Sequence, residues 1–296
     1  MSLKLQGIFP ALTTPFDHEG NVYKAKVFHN VAKMNEIGLS GYTVGGSTGE
    51  TALLSMTERI QLLEWVREAA ADGKTLIAGV GAESVRETVA MANRAAEIGY
   101  HGALALSPHY YRNQMHCPET QALFYRAVAD KSNIPVMVYN IPQVTGYDIP
   151  VETLAELSHH PNIVGMKDSS GNLEKLTATC RAVRPGFQVV CGSGNIFWDG
   201  FATGASGAIL AIADAIPYAC VTVWEAFRTR QQEAGADWHA RILTPSKLIA
   251  ARYGIPGLKH AMDLNGYYGG PPRLPLTPIS PEAKLELQQA FDGLRS

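Results

Sequence analysis

The sequence predicts a (β/α)8 (TIM) barrel over residues 1–216, followed by an all-helical C-terminal extension over residues 217–296. Three observations carry that expectation. Short apolar runs alternate with helical patterns eight times, and alternation of this kind builds a parallel sheet covered by helices. Eight such units within about 225 residues suit a closed barrel better than an open doubly wound sheet. No Gly-x-Gly-x-x-Gly follows the first run, which weakens a dinucleotide-binding alternative, and after Pro217 the strand signal stops.

The expected strands are Ile8–Thr13, Gly41–Val44, Thr75–Val80, Ala103–Ser107, Ile134–Tyr139, Ile163–Lys167, Phe187–Cys191 and Gly207–Leu210. Between the first two, Val27, Val31, Met34 and Ile37 recur at helical spacing within Ala25–Ile37. The next two helices open with the capping-box patterns Ser55-x-x-Glu58 and Ser84-x-x-Glu87. Gly38, Gly73, Gly99 and Gly186 stand where helices are expected to stop, and Pro118, Pro150 and Pro217 where they start. The C-terminal extension reads as helices over Pro217–Ala234, Asp237–Tyr253, Pro256–Leu264 and Pro281–Leu294, with a Pro-rich segment at Pro271–Pro278.

A chain of 296 residues with 46% hydrophobic content can bury a large core. The net charge of -2 provides no basic field, so neither nucleic acid nor a membrane surface is an expected partner. Cys117, Cys180, Cys191 and Cys220 are widely spaced without a Cys-x-x-Cys pair, as reduced thiols would be. There is no His-Glu-x-x-His, and the adjacent His159 and His160 would point about 100° apart on a helix. No metal and no cofactor is expected. The start of the chain has neither an apolar signal core nor an Arg-rich leader, and no run approaches a membrane span, so a soluble, cytoplasmic protein is expected.

In a barrel of this kind, chemistry stands at the C-terminal ends of the strands. The sixth run ends in Lys167. Its stem could simply cover apolar surface, or its amine could be held in a dry pocket as a nucleophile toward a carbonyl. Period 2 puts Ile163, Gly165 and Lys167 on one face, with Gly165 leaving space below the lysine. The fifth run ends in Tyr139, which would face Lys167 across one inter-strand spacing, though a tyrosine there can also be structural. The second run ends in Gly45-Gly-Ser-Thr-Gly-Glu50, either a tight turn or a cradle in which Ser47 and Thr48 supply hydroxyls and N–H groups to an anion. The fourth ends in Pro108-His-Tyr-Tyr-Arg112, whose tyrosines could be packing or interface residues. Lysine, phenol and anion cradle together can condense an amine with a 2-oxo acid: the cradle holds the carboxylate, lysine attacks the ketone, and tyrosine moves protons.

Gly46-Ser-Thr-Gly-Glu50, Tyr139-Asn-Ile-Pro-x-x-Thr-Gly146 and Gly165-Met-Lys-Asp-Ser169 resemble the three signatures of the dihydrodipicolinate synthase / N-acetylneuraminate lyase family, over Gly7 to about Ser280. The resemblance implies class I aldolase chemistry on pyruvate and an aldehyde, on a barrel with C-terminal helices, in a homotetramer built as a dimer of dimers. It implies that Lys167 is the Schiff-base lysine and Tyr139 the proton donor and acceptor. Thr48 and Ser47 would bind the pyruvate carboxylate, and Ser47 would join a proton relay completed by Tyr110 reaching into a partner subunit's site. Ile209 matches a position whose backbone packs against bound pyruvate, and Gly192 one that lines the pocket.

Within the family, synthases carry an arginine for the aldehyde's carboxylate where this chain has Val144, and valine cannot make a bidentate contact. His160–Ser169, Pro108-x-Tyr-Tyr-Arg112 and Tyr253–Lys259 with its continuation through Met262-Asp263 to Pro271 resemble 4-hydroxy-2-oxoglutarate aldolase, in which Ser169 would help bind the second substrate half. Against this, Thr48 stands where the animal aldolase has asparagine, and Arg273-Leu-Pro-Leu is shared with the synthases. The expected activity is cleavage of 4-hydroxy-2-oxoglutarate or a related 4-hydroxy-2-oxo acid. The alternatives are 4-hydroxy-tetrahydrodipicolinate synthase, condensing pyruvate with aspartate semialdehyde, and a non-catalytic 2-oxo-acid binding protein.

Overall fold

Eight short strands alternate with helices in the computed structural model, which describes residues 3–294. They are β1 (Gly7–Pro10), β2 (Gly41–Val44), β3 (Thr75–Gly79), β4 (Gly102–Leu106), β5 (Val136–Asn140), β6 (Ile163–Asp168), β7 (Gln188–Cys191) and β8 (Gly207–Leu210). The sheet order is β1-β8-β7-β6-β5-β4-β3-β2. Ala11, just beyond β1, bridges Thr43 in parallel, so the first and second strands are also neighbours. This is the expected (β/α)8 class.

The helices following β1 to β3 are α1 (Lys24–Asn35), α2 (Met56–Ala69) and α3 (Val85–Ile98). After β4 come the short α4 (Arg112–Met115) and α5 (Pro118–Ala129), and after β5 the short α6 (Pro142–Thr145) and α7 (Val151–Ser158). The remaining strands are followed by α8 (Leu173–Ala182), α9 (Phe197–Ala202) and α10 (Pro217–Arg228). The C-terminal stretch adds α11 (Gln232–Lys247), a π-helical turn Leu248–Tyr253, α12 (Gly254–Leu264) and α13 (Pro281–Ala290). None of the helices among the described residues is long and apolar enough to cross a membrane.

Several expected boundaries move for identifiable reasons. The fifth strand begins at Val136 rather than Ile134 because Pro135 has no N–H to give to a ladder. The first ends at Pro10, beyond which Ala11 makes only an isolated bridge. The helix expected over Pro217–Ala234 stops at Arg228; Arg230 takes a left-handed conformation (φ 61°) that turns the chain into α11. Inside α11, Pro245 removes one N–H, and the helix passes at Leu248 into the π turn rather than running evenly to Tyr253. Of the four glycines expected to stop helices, Gly99 caps α3 directly with φ 100°. Gly38, Gly73 and Gly186 lie in the turns a few residues further on. Ser55 and Glu58 form a complete capping box, whereas only the Ser84 half of the second one is made.

By contacts, the chain divides into two compact units. The first comprises the segment up to Gln6 with Thr75–Ile209. In it, parallel ladders join β3 to β4, β4 to β5, β5 to β6, β6 to β7, and β7 to β8. The N-terminal segment is sewn to β7: Leu5 N donates to Gln188 Oε1 at 2.7 Å, and Gln188 Nε2 donates to Leu3 O at 2.8 Å. The second comprises Gly7–Lys74 with Leu210 onward, so the C-terminal helices group with β1, β2 and their two helices.

Candidate active site

The Lys167–Tyr139 pair belongs to the first unit. Parallel pairing of β5 and β6 sets Tyr139 opposite Lys167 and Asn140 opposite Asp168. A register shift after Val136 leaves Val164 without an opposing residue, so the two strands come into step at the end where both side chains stand. Lys167 is buried (5% exposed), as is Tyr139 (4%). The ammonium Nζ donates to the phenol oxygen at 3.4 Å and lies 4.5 Å from the ring centroid. Among the described residues no carboxylate pairs with Lys167.

Three supports hold this pair. Asn140 Nδ2 donates to Asp148 at 2.7 Å and to Asp168 at 2.9 Å, and its Oδ1 accepts from Ile149 N at 3.1 Å, so the loop after Tyr139 is tied to the end of β6. Lys175 closes the cluster by pairing with Asp148. Tyr125, fully buried, donates toward the carbonyls of Ala105 (3.2 Å) and Tyr139 (3.3 Å), bracing β4 and β5 from behind. Gly192, just past β7, leaves room for the lysine stem. A Cβ built there would meet Ser169 Oγ at 2.1 Å and Lys167 Cε at 3.0 Å. Ser169 itself donates weakly to Gly192 O at 3.5 Å. Gly192 and Ser169 therefore lie together beside the lysine. Gly165 does not leave space below the lysine: the place of its Cβ is taken by Gln188 O at 2.5 Å and Leu5 Cδ1 at 3.1 Å. Its glycine permits a close approach of β7 and the N-terminal segment.

Ile209 is fully buried on β8, which neighbours β7. Tyr110 projects from the surface of the chain. It is 79% exposed, its ring stands edge-on to Tyr111 at 5.2 Å, and its hydroxyl has no hydrogen-bond partner among the described residues. Tyr147, which sequence reasoning passed over, is the buried phenol of this loop cluster, donating toward Ser107 Oγ and Pro108 O at 2.6 Å each. Burial pushes its pKa up to about 12, so it stays protonated as a donor.

Ser47 and Thr48 belong to the second unit. They open a 3-10 turn, Ser47–Gly49, entered through Gly45 at φ 73°. The next residue, Glu50, is held left-handed at φ 55°, an uncommon conformation for a residue with a side chain. What holds it is a buried ion pair: Lys259 Nζ lies 2.6 Å from Glu50 Oε1, with side chains 1% and 0% exposed. Lys259 also donates to Thr14 O (2.9 Å) and Pro271 O (3.0 Å) and sits 4.4 Å from the Phe16 ring centroid. Thr14 Oγ1 in turn donates to Gly49 O at 2.6 Å, and Glu50 Oε2 accepts from Arg273 N at 2.9 Å. Arg273 forks onto Glu58 at 2.6 and 2.9 Å. That guanidinium holds the Glu58 carboxyl down at about 2, helped by the Ser55 capping bonds. The turn bearing Ser47 and Thr48 is thus clamped from behind by α12 and the Pro-rich segment.

Among the described residues no group of His, Cys, Asp or Glu could hold a metal ion. The four cysteines are free.

Comparison with known proteins finds relatives along nearly the whole chain. The sequence profile of the Dihydrodipicolinate synthetase family matches residues 4–293. The 4-hydroxy-tetrahydrodipicolinate synthase of Natronomonas pharaonis is 33% identical over 293 residues, 97% of each chain. That of Exiguobacterium sp. is 30% identical over 289 residues, again 97% of each. Among solved structures, a dihydrodipicolinate synthase of Bacillus anthracis superposes with a TM-score of 0.93 at 26% identity, covering 99% of this chain and 100% of its own.

Proposed function

The chain belongs to the dihydrodipicolinate synthetase family and is a carbon–carbon lyase, and from that membership we propose a pyruvate-dependent class I enzyme in which Lys167 forms the imine. The observation that carries this reading is the buried Lys167 ammonium set against the Tyr139 hydroxyl by strand register. In the proposed sequence, neutral Nζ adds to C2 of the 2-oxo acid, and Tyr139 passes protons while the carbinolamine loses water to become the imine. Loss of a proton from C3 yields the enamine, whose C3 attacks an aldehyde carbon to form the new C–C bond. Water then releases the product and regenerates the amine. Run backwards from a 4-hydroxy-2-oxo acid, the same steps break C3–C4, the electron pair passes into the imine, and an aldehyde leaves. Ser47 and Thr48 are assigned the 2-oxo acid's carboxylate on the strength of the motif. Gly192, Ser169 and Ile209 are assigned the pocket, and Tyr110 a partner subunit's relay within a tetramer.

For the second substrate, the names of the relatives favour aspartate semialdehyde and a 4-hydroxy-tetrahydrodipicolinate synthase. That was the alternative at the level of sequence, and it now stands first. Cleavage of 4-hydroxy-2-oxoglutarate remains as the second reading because Val144 leaves an aliphatic, 43% exposed side chain where a synthase has its arginine. Comparing kcat/KM for pyruvate plus aspartate semialdehyde with kcat/KM for 4-hydroxy-2-oxoglutarate cleavage separates them. The first reading expects the synthase pair to win by tenfold or more, roughly 1.4 kcal/mol of transition-state discrimination. An equal margin for cleavage installs the second. Imine formation without turnover of either would leave a 2-oxo-acid binding protein. Tyr139→Phe is expected to cost about 10²–10⁴-fold in kcat, with unchanged thermal stability, because the lost hydroxyl makes one long hydrogen bond. A loss under threefold would make Tyr139 structural.

A further inference from the structure

We propose that Arg112 binds the second carboxylate of the substrate, supplying from the β4 loop the guanidinium that Val144 cannot. The proposal rests on the imine-forming reading above and adds the residue that would hold the anionic group of its other reactant.

β4 and β5 run side by side with Leu106 opposite Tyr139, so the segment leaving β4 emerges at the same end of the sheet as Tyr139 and Lys167. That segment is held at several points. Glu83 Oε2 accepts from the backbone N of His109 at 3.0 Å and of Tyr110 at 2.9 Å, while its other oxygen lies 3.1 Å from His109 Nδ1. Tyr147 holds Ser107 and Pro108 from the far side, and buried Gln121 donates to Met115 O at 2.7 Å. Arg112, which opens α4, therefore projects from a fixed support.

Its side chain lies across the loop that follows Tyr139. A Cβ built on Gly146 would sit 2.7 Å from Arg112 Nε, 2.8 Å from Cζ and 3.0 Å from Cδ. Gly146 closes α6 at φ 77°, so it is glycine both for its conformation and because the guanidinium occupies the space a side chain would take. Arg112 is exposed, and among the described residues no carboxylate pairs with it. A structural arginine laid over a loop normally satisfies its donors on carbonyls or carboxylates, as Arg273 does here. Arg112 instead keeps its five donors available, a planar fork suited to a carboxylate. Asp148 is already engaged by Asn140 and Lys175, and Glu83 by the loop backbone, so neither neighbouring acid is left to neutralise it.

The test uses imine trapping, so it requires no turnover. Wild type and the Arg112→Ala and Arg112→Lys variants are reduced with borohydride over a range of 2-oxoglutarate, which has a second carboxylate, and of 2-oxobutyrate, which has none. The half-saturating concentration for the Lys167 adduct is the readout. Arg112→Ala should raise it about 10–100-fold for 2-oxoglutarate, the loss expected of a charge-assisted hydrogen-bond pair, and leave 2-oxobutyrate within about twofold. Arg112→Lys should recover part of the difference, since the charge returns without the fork. Equal shifts for both acids, or none for either, overturn the assignment. If the wild type forms no adduct with pyruvate at all, the imine-forming reading has failed, and Arg112 fails with it. An adduct whose acid preference ignores position 112 sinks Arg112 alone. Arg112 is exposed, and a far-UV spectrum and unfolding midpoint matching wild type show that the variants are folded.

Discussion

Lys167→Ala is expected to lower kcat by about 10⁴-fold or more while leaving the fold intact. Alanine cannot form an imine, and the amine of Lys175, in the same cluster, is engaged by Asp148. The structural cost is small because, among the described residues, the ammonium's hydrogen-bond and ring contacts are the Tyr139 hydroxyl, at 3.4 Å, and the Tyr139 ring. No buried acid is stranded by its loss, in contrast to most buried lysines. Lys167→Arg sharpens the point: it keeps the charge and the cation–π contact, yet it too should be inactive. A surviving rate within about tenfold of wild type would return Lys167 to a stem covering apolar surface. Circular dichroism and the thermal midpoint, measured alongside activity, separate loss of chemistry from loss of fold.

The largest effect on stability is expected at the Lys259–Glu50 pair. Glu50→Gln or Lys259→Met alone leaves the other charge buried without its counterion, at a cost of about 3–5 kcal/mol. The pair is almost wholly inaccessible, so water cannot compensate. Burial already pulls the Lys259 pKa down against the pull of Glu50, and without that carboxylate the ammonium loses its main support. The double variant Glu50→Gln with Lys259→Met should recover most of the lost stability, because a neutral pair of similar volume has no charge to strand. Denaturant midpoints at constant m-value measure all three. Single variants within about 1 kcal/mol of wild type would mean the pair is worth no more than a surface salt bridge.

These two sites differ in how far they could be read from the sequence. The Lys167–Tyr139 pairing was legible because each residue ends an apolar run of strand length and neighbouring parallel strands bring such ends together. The motifs around them narrowed the chemistry to an imine, and the family comparison bears out that resemblance. The Glu50–Lys259 pair was not legible as a pair: Glu50 read as the end of a turn and Lys259 as one letter of a helical motif, and only the fold brings them to 2.6 Å. Gly165 looked like room for the lysine but admits Leu5 and Gln188, whereas Gly192, which the resemblance put in the pocket lining, borders the lysine stem. That difference depends on which strand packs behind each glycine, and a period-2 pattern does not contain it. Arg112 stood in a quoted motif without a role, because its relation to Gly146 exists only once two loops meet. Among the helices, Gly and Pro signals located starts better than stops. The turn at Arg230 has neither residue, so the break between α10 and α11 had no marker.

The most direct test of the account is reduction of the enzyme with borohydride in the presence of pyruvate, followed by peptide mapping. The account predicts a carboxyethyl group on Lys167, formed only when pyruvate is present and absent from Lys167→Ala. An unmodified Lys167, or a label on another lysine that survives in Lys167→Ala, would contradict it.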